Sequence, residues 1–66
     1  MSLIVTIEDV RRAGLCVPGA RLWCRRHGID WHHFLREGIE ADRLIETRDA
    51  MAARVVDAAR RRRDGR

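Results

Sequence analysis

Brief amphipathic stripes and dense glycine punctuation predict an all-α domain, a compact bundle of about five short helices with a helix-turn-helix-like unit and a basic C-terminal tail. Apolar residues recur at three- and four-residue spacing, most clearly at Met51, Ala52, Val55, Val56 and Ala59, which is a helical stripe and not a strand pattern. Gly14, Gly28 and Gly38 fall where such stripes stop, and no stretch alternates as a sheet would. With 66 residues the chain forms one domain at most. A chain this short buries only about 60% of its unfolded surface, so its packing margin is small.

Leu3-Ile4-Val5 reads as a short extended lead-in. Thr6 caps the first helix, with Asp9 three residues on and Ile7 and Val10 on one face, and Gly14 closes it. Pro18 suits the start of a second helix through His27. Asp30 caps a third helix, Trp31 to Glu37, which Gly38 ends. A fourth runs from Ala41 to Glu46. Thr47 is the expected cap of the last and longest helix. The short connections force neighbouring helices into contact. The expected core is Ile7, Val10, Leu15, Ala20, Trp23, Ile29, Phe34, Leu35, Leu44, Met51 and Val55, with no β-sheet.

Charge divides the chain. Residues 60–66 hold five arginines against Asp64, whereas residues 1–59 hold nine arginines against nine acids. The expected division is therefore a neutral helical domain over 1–59 and an arginine-rich tail over 60–66. A run of four arginines, Arg60, Arg61, Arg62 and Arg63, serves either as a polyanion patch or as a solubilising helix end. No apolar run approaches the roughly 20 residues of a membrane span. The early residues lack the pattern of a signal peptide, so a cytoplasmic address is expected.

Cys16 and Cys24, with His27, His32 and His33, raise the question of a metal. Cys16 precedes the second helix and Cys24 lies well along it, which at ~1.5 Å per residue is on the order of 10 Å. Neither a shared zinc ion nor a disulfide spans that gap, and no cofactor is expected. Cys24 with His27 is the one nucleophile–base pair worth naming. A helical domain of this size is not expected to enclose a pocket of several hundred Å3, so binding is expected rather than catalysis, with no small-molecule substrate.

Two binding surfaces compete. The apolar arm of Leu3, Ile4 and Val5, which either docks on a neighbour or lies across its own domain, and Trp31 are the candidates for protein interaction, with another protein or a second copy. The second and third helices, joined at Gly28 and touching through Cys24, Ile29 and Phe34, offer Arg25, Arg26, His32, His33 and Arg36 as candidates for nucleic acid. The neutral body weakens that case, because phosphate attraction supplies most non-specific affinity. The tail is then the main route to nucleic acid.

The pattern carried by Gly19-Ala20-Arg21, Trp23, His27-Gly28, Asp30, Phe34-Leu35, Gly38-Ile39, Leu44, Thr47, Asp49-Ala50 and Val55-Val56 resembles a group of short helical proteins encoded by bacteriophages and prophages of proteobacteria. In that pattern a glycine stands between the threonine and the aspartate; here Arg48 does. The resemblance implies a phage setting, in particle assembly or in gene control, and no catalytic residues.

Overall fold

A computed structural model describes residues 3–65. Met1, Ser2 and Arg66, the outer ends of the two expected segments, lie outside them. The elements are β1 (Ile4–Val5), α1 (Ile7–Arg12), α2 (Val17–Arg26), α3 (Trp31–Glu37), β2 (Ile39–Glu40), α4 (Ala41–Glu46) and α5 (Ala50–Asp64). The five helices stand close to where residue types and periodicity predict them. The expectation of no sheet is corrected: β1 and β2 pair antiparallel, Ile4 opposite Glu40 and Val5 opposite Ile39.

Gly38 is the cause. It stops α3 at φ 77 and turns Ile39 into an extended conformation beside the arm. A Cβ at this position would lie 2.5 Å from Ile4 Cγ2 and 2.8 Å from the Val5 carbonyl oxygen, so only glycine permits the approach. The Ala41 N–H donates to the Leu3 carbonyl at 2.8 Å and extends the pairing by one bond.

Thr6 starts α1 as expected. Its N–H donates to Asp9 Oδ2 at 2.8 Å, and its hydroxyl donates to the same oxygen at 3.3 Å. Asp30 caps α3 by accepting from the His33 N–H at 3.2 Å. Thr47 is a second correction. It ends α4, its hydroxyl donating to the Leu44 carbonyl at 2.6 Å, and Asp49 occupies the position before α5. Between them Arg48 is left-handed at φ 55.

The core is built on α5, which packs chiefly against α1 and α4 and also touches β1. Its buried members include Val5, Val10, Phe34, Ile39, Leu44, Val55, Val56 and Ala59. Ile7, Leu15, Ala20, Trp23 and Ile29 pack against this cluster half-buried. Leu35 and Met51, also expected inside, are instead exposed at 44% and 43%.

Candidate functional site

The arm expected to offer an interaction surface lies across its own domain. Val5 is fully buried and Leu3 half-buried against the core, which removes Val5 as a contact for any partner. Ile4 alone of the three is exposed. Trp31 is half-buried, its ring 5.7 Å from that of Phe34.

Of the expected nucleic-acid residues, Arg25, Arg26, His32, His33 and Arg36 are all exposed on α2 and α3. Cys24 on α2 and Phe34 on α3 are both buried, and the Ile29 N–H donates to the Cys24 carbonyl at 2.8 Å. No ion pair engages these arginines among the described residues.

The C-terminal arginines are exposed too but differ in their pairing. They continue α5 without a break at residue 60, so the helix marks no tail over its described part. Arg60 lies 3.9 Å from Asp57 and Arg63 lies 3.0 Å from Asp64. Arg62 is no free tail cation: its Nε donates to Asp9 Oδ1 at 2.8 Å and its Nη2 to Asp9 Oδ2 at 3.1 Å and to the Ile4 carbonyl at 2.9 Å. Three of the four run members thus face a carboxylate.

Asp9 is the one buried charged residue among those described, with no exposed surface. Burial alone would raise its pKa. The Arg62 hydrogen bond, the Thr6 N–H, the guanidinium charge and the Thr6 hydroxyl outweigh it and hold the carboxyl below its ordinary value. Sequence reasoning saw Asp9 only as part of a helix start.

The two thiols sit in different environments. Cys16 is exposed and Cys24 buried, and both are free. Burial pushes the Cys24 thiol above its ordinary pKa, which disfavours a thiolate. His27 stacks on Trp23 with ring centroids 4.2 Å apart. Among the described residues no three His, Cys, Asp or Glu side chains gather as a metal site would require.

The feature with the clearest binding geometry is a cleft of about 420 Å3. This corrects the expectation that so small a domain holds no such space. Its inner wall is Val10, Phe34, Leu44 and Val55, all core residues. Exposed Gly14, Cys16, Gly19 and Met51 form its mouth, between the α1–α2 turn and the start of α5. The wall is almost entirely carbon and sulfur. The Trp23 indole N–H in the wall is satisfied by Asp49 Oδ2, and no buried side-chain polar atom among the described residues lacks a partner.

Small side chains create the space. Gly14, Gly19, Ala20, Cys24 and Ala52 line it where larger ones would close it. Gly14 lies in the α1–α2 turn, Gly19, Ala20 and Cys24 on α2 and Ala52 on α5, so no single stretch of sequence announces the cleft. An occupant that binds the folded chain and not the unfolded one stabilises the fold by mass action.

No family model, curated protein or solved structure matches the chain. Among the described residues no helix is long and apolar enough to cross a membrane.

Proposed function

We propose that this chain is a small non-enzymatic binding module that receives an apolar side chain of a partner protein in the cleft between the α1–α2 turn and α5. The observation that carries the reading is the cleft itself: about 420 Å3, apolar, and open at Met51 and Gly14. An anchor side chain inserted there exchanges water for carbon contacts at ~25 cal/mol per Å2, and buried anchors of this kind dominate interface energies. The resemblance to phage-encoded proteins makes an assembly factor acting in the cytoplasm the natural setting.

Selection of a random-peptide display library on the full chain tests this. The expected peptides carry a bulky apolar anchor, alter Trp23 fluorescence in a Trp31→Phe background, and lose affinity for Ala52→Leu, whose added carbons enter the cleft. Peptides that bind wild type and Ala52→Leu equally would contradict the reading.

A second reading, a helix-turn-helix-like accessory protein on DNA, is favoured by one observation. Arg25, Arg26 and Arg36 stand exposed without carboxylate partners among the described residues, whereas the C-terminal run is largely paired. DNA retention would then weaken steeply with salt and survive changing Arg60, Arg61 and Arg63 to glutamine, which leaves the Arg62 contacts with Asp9 in place. Apolar docking would hardly respond to salt.

A further inference from the structure

The mouth of the cleft carries a charge that its wall does not. The Arg54 guanidinium reaches from α5 to the end of α1, its Nη2 donating to the Ala13 carbonyl at 3.2 Å and its Nη1 lying 4.0 Å from Met51 Sδ. Ala13 adjoins Gly14, and Gly14 and Met51 are both mouth residues, so this cation borders the opening. It is exposed and has no carboxylate partner among the described residues. Arg12 and Arg48, also exposed and close to the mouth in the chain, have none either.

The nearby acids are engaged elsewhere. Glu8 pairs with Arg11 at 2.7 Å, and Asp49 accepts from the Trp23 indole. Asp49, at the N-cap of α5, keeps its charge under that bond, since an indole N–H is neutral, and it offsets the positive end of that helix's dipole. An apolar hole bordered by the Arg54 guanidinium, with Arg12 and Arg48 close to it in the chain, is complementary to an apolar group next to a negative one.

We propose that the partner segment is acidic: an apolar anchor fills the cleft and an aspartate or glutamate beside it is read by Arg54. This rests on the cleft being the working surface and adds the chemistry of what enters. Charge complementarity of this kind selects partners more than it adds affinity.

Two synthetic peptides with the same leucine–phenylalanine anchor, one flanked by glutamates and one by glutamines, provide the probe. Binding is followed by Trp23 fluorescence in Trp31→Phe protein at low and moderate salt. The glutamate peptide should bind about three- to fivefold more tightly at low salt. Salt should narrow that preference, Arg54→Gln should remove it, and Arg54→Glu should reverse it. Arg54 is exposed, so these variants should keep the wild-type unfolding midpoint within a few degrees. Equal affinity of the two peptides, both blocked by Ala52→Leu, would overturn the acidic partner and leave the cleft reading standing. If neither peptide binds, or Ala52→Leu does not block them, both fall. Self-association of the chain that Ala52→Leu abolishes and neither peptide competes would replace the acidic segment with a second copy.

Discussion

The two halves of α5 do opposite work. Its C-terminal half packs one face against the domain: Ala59 has no exposed surface, and Arg62 clasps the buried Asp9 and the backbone of β1. Its N-terminal half borders space, with Met51, Ala52 and Val55 on the cleft and Met51 in solvent. One helix thus anchors the fold at one end and borders the cleft at the other.

The largest effect expected is at the clasp. Arg62→Ala leaves the Asp9 carboxylate buried with only Thr6 for support. Removing one partner of a buried pair costs about 3–5 kcal/mol; the third of Arg62 left in solvent reduces this to about 2 kcal/mol. Urea unfolding should show it as a large loss of midpoint. Acid should act on the same contact. Because the folded carboxyl of Asp9 titrates below its ordinary value, its contribution is full above about pH 4 and disappears as pH falls through the folded pKa. Arg62→Ala should therefore flatten the acid limb of a stability–pH curve.

Next comes one substitution made at two sites, two helical turns apart on α5. Ala59→Leu forces carbons into a filled region and should destabilise by about 1–3 kcal/mol. Ala52→Leu places them in the cleft and should stabilise by roughly 0.5–2 kcal/mol. Losses of equal size at both positions would erase the contrast between the halves. The smallest effect is at the junction leading into α5. Arg48→Gly relieves a left-handed arginine at φ 55 but loosens the unfolded chain, for a net gain of about 0.5 kcal/mol in thermal unfolding.

What residue types encode locally was legible. Asp30 and Gly38 bracket α3 residue for residue, because an N-cap acceptor and a left-handed glycine act on their own turns. Thr47 misled, since a threonine hydroxyl serves either end of a helix and here satisfies a carbonyl of α4. The β1–β2 pairing and the Asp9–Arg62 clasp join positions far apart in the chain, and no local pattern announces them. Arginine density is only part of the charge reading. It counts charges, whereas Asp57, Asp9 and Asp64 decide how many remain unpaired. The cleft stayed hidden because it is made by absent side chains, at Gly14, Gly19, Ala20 and Ala52, whose facing positions only the packed helices reveal.

Methyl NMR of the wild-type chain titrated with benzene, an uncharged apolar probe that needs no knowledge of the partner, tests the open end of α5 most directly. Shifts and intermolecular contacts confined to Val10, Leu15, Leu44, Met51 and Val55, and lost in Ala52→Leu, are the predicted result. A spectrum unchanged at probe saturation, or shifts gathered at Ile4, Leu22 or Leu35 instead, would contradict it.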